Sequence, residues 1–372
     1  MRSVRRILIN QPFGIGDALF ITPLLRALRC LPTVESVDLL LGSRTEPVFR
    51  HNPHVDRIFS IDKDRWRTAD KREVENEKIL LWKSLRGRYD LLIDFSPRGE
   101  YGFYGQFFLG IPRRIGFNFK NRGLFLSQGL PLPRGFSGAH LIDFYCELGK
   151  FLGLEIEERF PEFYLSEDDR QKTSELLAER NFPSSGPCLA VAPGGGESWG
   201  KDAPFKRWPV SFFVEMISLL RERIDFGEIL ILGSGGERSL GEEIEKNSPL
   251  PAVNLSGELS LGMTAASLEK AALFLANDGG LVHLAHAFSI PLVAFYGPVD
   301  AQVYGPYPPS PKAVAVMRQD LACRPCYSDF RYNSACVDRE CLSALYPPEV
   351  LELLDKKNFW RVLSGVPVLD FK

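Results

Sequence analysis

Apolar residues in this 372-residue chain come in short runs separated by stretches with helical spacing. Runs at 6–10, 37–41, 57–61 and 90–95, and again at 188–192, 228–232, 252–255, 271–276 and 291–296, are strand-sized and almost continuous. Continuous apolar runs of that length are the signature of strands covered on both faces. Between them, amphipathic stretches predict helices. Leu19, Ile21, Leu24, Leu25 and Leu28 make one stripe, and further helices are expected near 46–52, 72–85, 140–154, 169–179, 212–220, 261–270, 281–288 and 347–363. Strand and helix in regular alternation imply an α/β fold with parallel sheets and right-handed crossovers. The length exceeds one ordinary core, so two are expected, residues 1–165 and residues 166–346, followed by a terminal helical segment 347–372. The acidic stretch 155–169, interrupted by Pro161, reads as the passage between them.

The ends of the strands carry the candidate chemistry. The first run leads into a turn with Gly14, Gly16 and Asp17 at the start of a helix, where the positive end of the helix dipole favours a carboxylate. Asp17 is a candidate general base; the plain alternative is a helix-capping aspartate. The turn lacks the third glycine of a dinucleotide fingerprint, so it does not indicate nicotinamide or flavin. Arg98, in the turn after 90–95, is placed to pair with an acidic acceptor group. In the second half, Gly194, Gly195 and Gly196 follow one strand and Gly233 with Glu237 follows the next. Asp278, Gly279 and Gly280 follow a third, with His283 one turn into the next helix. Glycines at such turns let a phosphate or sugar approach the backbone, and a helix start offers unpaired N–H groups to an anion. Glu237 suits ribose or sugar hydroxyls, and Lys206, before Trp208-Pro209, suits a diphosphate. The plain alternatives are that Asp278 caps a helix, His283 packs in a core and Lys206 is solvated surface.

Composition narrows the classes. A chain with 45% hydrophobic residues, 25% charged residues and a net charge of −2 has no global attraction to nucleic acid. No apolar run approaches the ~18–20 residues of a membrane span, and the basic start leads only into a strand-sized segment, so a cytoplasmic protein is expected. Between Tyr101 and Phe125, aromatic residues interleave with Arg113, Arg114, Lys120 and Arg122. That pattern suits peripheral contact with an anionic lipid surface or a lipid-linked acceptor; the plain alternative puts Phe107 and Phe108 in a core. Cys323, Cys326, Cys336 and Cys341 have the two-pair spacing of a four-thiolate knuckle, for structural zinc or iron, with two disulfides as the alternative.

Four motifs together carry a resemblance that runs over nearly the whole chain. They are Gly16-Asp17 with Thr22-Pro23-Leu24-Leu25-Arg26-Ala27-Leu28, Lys206-Arg207-Trp208-Pro209, Asn277-Asp278-Gly279-Gly280 with His283-Leu284-Ala285, and Tyr296-Gly297-Pro298 before Asp300. In this order the chain resembles glycosyltransferase family 9, the ADP-heptose:lipopolysaccharide heptosyltransferases. The resemblance implies a GT-B fold, two Rossmann-like domains facing across a cleft, with the last helix crossing back to the first. It also implies metal-independent inverting transfer without a catalytic cofactor. Asp17 would be the base, Lys206 would neutralise the leaving diphosphate, the Asp278–His283 turn would hold diphosphate and sugar, and Glu237 would sit on the nucleoside side. Gly279 stands where heptosyltransferases commonly carry threonine. Members with a cysteine knuckle look like autotransporter heptosyltransferases in which it holds iron, so a protein acceptor stands beside lipopolysaccharide. A nucleotide-sugar epimerase and a non-catalytic sugar-nucleotide-binding protein are the other classes.

Overall fold

A computed structural model describes residues 4–97, 99–182, 186–196, 200–333 and 335–363. The chain divides into two compact units, Met1–Tyr164 and Leu165–Lys372. The first holds six parallel strands: β1 (Arg6–Gln11), β2 (Ser36–Gly42), β3 (Arg57–Ile61), β4 (Leu91–Asp94), β5 (Arg113–Phe119) and β6 (Gln128–Leu132). Their order is β3-β2-β1-β4-β5-β6. The second holds β7 (Cys188–Ala192), β8 (Glu228–Ile231), β9 (Ala252–Asn254), β10 (Ala271–Asn277), β11 (Leu292–Phe295) and β12 (Ala313–Val316), ordered β12-β11-β10-β7-β8-β9. Both sheets thus follow the Rossmann order. The chain leaves the first strand in one direction, then returns to build on its other side, between β1 and β4 and between β7 and β10. Ligands of open α/β sheets bind at that reversal, outside the carboxyl ends of the strands.

The central strands are buried throughout; every residue of β4, β7 and β11 is buried, which accounts for their unbroken apolar runs. The predicted first helix is two, Ile15–Phe20 and Thr22–Arg29, meeting at Ile21. Three strands escape the hydrophobic pattern. β5 opens on Arg113-Arg114, edge strand β6 contains Pro131, and edge strand β12 is only four residues long. The stretch read as one aromatic and cationic segment therefore holds the helix Glu100–Phe107 and strand β5. Val350 and Leu354 of the helix Pro347–Lys356, and the following Phe359 and Leu363, lie in the second unit's core with Trp208 and Phe213.

Candidate active site

In the second unit, the loops after β7 and β10 meet at the sheet's reversal. Asn277, the last residue of β10, braces them: its Nδ2 donates to Pro193 O at 2.6 Å, and its Oδ1 accepts from Trp208 N at 2.9 Å. Trp208 is fully buried, stacked on Phe295 with ring centroids 3.9 Å apart, and its indole N–H donates to Leu345 O at 2.8 Å. This anchorage fixes the short 3-10 segment Gly200–Lys206 that precedes it. Lys206 is consequently not solvated surface. Its Nζ lies 2.9 Å from Asp278 Oδ2, with both side chains 7% exposed.

Asp278 does not cap the helix Gly280–Ala287; Gly279 holds that position, and no side chain caps it. The Asp278 carboxylate instead neutralises Lys206 just before the helix start. His283 is buried on the same helix.

The glycines serve the contact between loops. Gly195 has φ +79°, and a Cβ there would come 3.0 Å from Asp278 O. Gly279 is extended, so its backbone suits any residue, but a Cβ would lie 2.5 Å from Gly195 O. A threonine in its place requires the Gly195 loop to shift. Glu237, also buried, ties the loop after β7 to the turn after β8. Its Oε1 accepts from Gly196 N at 2.8 Å, and its Oε2 accepts from Ser234 N and Oγ, each at 2.9 Å. A Cβ on Gly194 would collide with this carboxylate at 1.9 Å, and one on Gly233 would come within 3.2 Å of it. Sequence reading saw Glu237 only as a ligand contact and missed its bracing of two glycine loops.

In the first unit, Asp17 sits in the third position of the helix Ile15–Phe20, whose cap is Gly14, so it is not the capping residue. It is half-buried, and Tyr145 Oη donates to its Oδ1 at 3.5 Å. The Tyr145 ring is fully buried against Phe95, with centroids 4.5 Å apart, so packing aims the hydroxyl.

At the same reversal, Asp94 ends β4 opposite Asn10 of β1. Its Oδ1 accepts from Asn10 Nδ2 at 2.8 Å and Ser96 N at 2.9 Å, while its buried Oδ2 has no donor among the described residues. Burial pushes this carboxyl up to about 6, against the hydrogen bonds from Asn10 and Ser96. Polar residues ending buried strands, Asn10, Gln11 and Asp94, were the available signal for this cluster. Arg98 lies outside the described residues.

The four clustered cysteines are unbridged thiols: Cys323 is exposed, Cys326 and Cys336 half-buried and Cys341 buried. Their loop is stitched to the turn after β11. Arg324 donates to Gly297 O and Val299 O at 2.5 and 3.1 Å, and Cys326 N donates to Pro298 O at 3.0 Å. Among the described residues no set of three or more His, Cys, Asp or Glu side chains is gathered to hold a metal ion.

Comparison with known proteins bears on this arrangement. The model of glycosyltransferase family 9 (heptosyltransferase) matches residues 79–332. Lipopolysaccharide heptosyltransferase 2 of Escherichia coli K12 is 26% identical over 306 residues, covering 79% of this chain and 83% of that protein. The solved E. coli ADP-heptose LPS heptosyltransferase II superimposes with a TM-score of 0.70 at 22% identity, over 96% of this chain and 99% of the other. At greater distance, the iron-containing dodecameric glycosyltransferase TibC of enterotoxigenic E. coli reaches a TM-score of 0.56 at 15% identity, over 98% and 81%. These likenesses show the GT-B fold, and the family match, spanning most of the chain, shows the enzyme class: this chain belongs to glycosyltransferase family 9, the heptosyltransferases, and is a glycosyltransferase.

Proposed function

We propose that this enzyme moves a heptose, or a closely similar sugar, from an ADP-linked donor to a lipopolysaccharide core acceptor, by inverting transfer without a catalytic metal. The buried Lys206–Asp278 pair beside the start of the helix Gly280–Ala287 is the observation that carries the reading. An ammonium has three donors, so Lys206 can keep Asp278 and still take a phosphate oxygen. The helix start adds its N–H groups to the same anion. Both groups act on the charge that grows on the diphosphate as the glycosidic bond breaks.

The other product of bond-making is a proton. Asp17 accepts it from the acceptor hydroxyl as that oxygen bonds to the anomeric carbon, while ADP departs with the electron pair of the broken C–O bond. Tyr145 holds the Asp17 carboxylate in place. Glu237, with both oxygens already engaged by the two glycine loops, shapes the nucleoside side of the donor site. The lipid anchor of such an acceptor places the reaction at the cytoplasmic face of the inner membrane.

A protein acceptor is the second reading, favoured by the cysteine cluster. For those cysteines we keep structural zinc or iron as a proposal that rests on the chemistry of four thiol donors and not on their present spacing.

Incubation of the protein with ADP-heptose and a heptose-deficient lipopolysaccharide core, followed by mass spectrometry, tests the main reading. Addition of one heptose is expected. Asp17→Asn is expected to lower the rate by about 10²–10⁴-fold while ADP-heptose still raises the melting temperature. Transfer at the native rate by Asp17→Asn removes the proposed base; heptose appearing on a co-supplied protein alone transfers the case to the second reading.

A further inference from the structure

The first unit carries an apolar face that its own fold leaves uncovered. Eight large hydrophobic side chains are exposed among the described residues, and six of them, Ile79, Leu80, Phe103, Phe107, Phe108 and Leu124, lie in one stretch of this unit. Exposure reaches 66% at Leu80, 57% at Phe107 and 81% at Leu124. Single exposed apolar residues are ordinary, whereas a contiguous patch marks a contact surface.

Around Phe103 the side chains are contiguous. The Phe103 ring lies 5.0 Å from that of Phe107, 6.0 Å from Phe108 and 5.2 Å from Phe125. Tyr104 joins Phe108 at 5.7 Å to Trp82 at 4.9 Å, on the helix Lys71–Leu85 that also carries Ile79 and Leu80. The plain alternative, which put Phe107 and Phe108 in a core, does not hold, since both are exposed. They sit at the end of the helix Glu100–Phe107, beyond the layer that covers the sheet.

The face is held in shape from below. The Arg114 guanidinium donates to Phe125 O and Ile111 O at 2.6 Å each and to Gln106 Oε1 at 3.2 Å, tying strand β5, the following loop and the helix together. In that loop the exposed Lys120 and Arg122 stand 5.1 and 5.7 Å from the Phe119 ring centre, just before Leu124.

Charge selects the partner. From Lys78 to Phe125 the sequence has nine cations against three acids, in a chain whose net charge is −2. A second copy meeting this face symmetrically would oppose cation to cation, which disfavours self-association. No helix among the described residues is long and apolar enough to cross a membrane, so the face suits attachment at a bilayer surface.

We propose that this face docks the protein on a bilayer containing anionic lipid, with Phe107, Phe108 and Leu124 entering the headgroup layer and Lys120 and Arg122 meeting the lipid phosphates. The proposal shares with the functional reading only the lipid-linked acceptor; attachment itself requires neither donor nor acceptor. Surface cations and interfacial aromatics act together in such binding.

Co-sedimentation of the full chain, without nucleotide sugar, is the test. The vesicles contain three parts phosphatidylethanolamine to one of phosphatidylglycerol, with pure phosphatidylcholine as control. Binding to the anionic vesicles and weak binding to the control are expected. Phe107→Ser with Leu124→Ser, and separately Lys120→Glu with Arg122→Glu, are each expected to weaken binding by about tenfold or more. Both replace exposed residues, so melting temperature and transfer to a water-soluble, delipidated acceptor should stay near wild type. No vesicle binding by the wild type, or undiminished binding by both variants, overturns the proposal. So does a wild-type oligomer that Phe107→Ser with Leu124→Ser converts to monomers without any change in vesicle binding. Vesicle binding with no sugar transfer to any acceptor leaves the docking intact and defeats the functional reading instead.

Discussion

Replacing Lys206 by methionine leaves the Asp278 carboxylate buried beside a helix start without its cation. Breaking a buried pair at one partner costs on the order of 3–5 kcal/mol, because the remaining charge is uncompensated. Asp278→Asn strands the ammonium in the same way, and the double variant, which buries no unpaired charge, should recover much of that loss. Urea unfolding of all four proteins measures the coupling; additive losses would show that the 2.9 Å contact does not operate as a pair. Asp94 makes a prediction of opposite character. Its carboxyl is raised from 3.8 to about 6 by burial, so between those values the folded protein keeps a proton that the unfolded chain gives up. Stability from neutral Asp94 is complete below about pH 4 and is lost as pH rises through about 6, to a ceiling of ~3 kcal/mol. Asp94→Asn should flatten that part of the stability profile. An unchanged slope between pH 4 and 7 would place the proton elsewhere.

Among the elements, nine of the twelve strands were legible as buried apolar runs, and the three that were not have identifiable causes. Side chains of β5 begin with two arginines whose work is tertiary, β6 tolerates Pro131 because it is an edge, and β12 is an edge strand only half of whose residues are buried. The cysteine loop is an element in its own right. It is secured by Arg324 and the backbone of the 297–299 turn, while only Cys341 enters the second core. If an ion gathers these thiols, protein purified anaerobically carries close to one zinc or iron per chain. A chelator then lowers the melting temperature, and Cys323→Ser loses the metal. Metal content near zero in the wild type excludes the site.

At the scale of the whole molecule, alternation of buried runs with amphipathic stretches determined two α/β units, because a parallel strand shielded on both faces has to be apolar throughout. The glycine turns, Asp17, Lys206, Glu237 and Asp278 could likewise be read from the chain, since small residues and charges at strand ends mark the carboxyl edge of a sheet. What each does was decided only by tertiary structure. Strand order brings the loops after β7 and β10 together, and that proximity, not local spacing, turns Lys206 and Asp278 into a buried pair. It also directs Glu237 onto the Gly196 amide and leaves Gly279 no space for a side chain. The same holds in the first unit. Sequence spacing left the aromatics from Phe103 to Phe125 readable as core or surface, and only packing, which buries one face of a helix and abandons the other, exposed Phe107, Phe108 and Leu124.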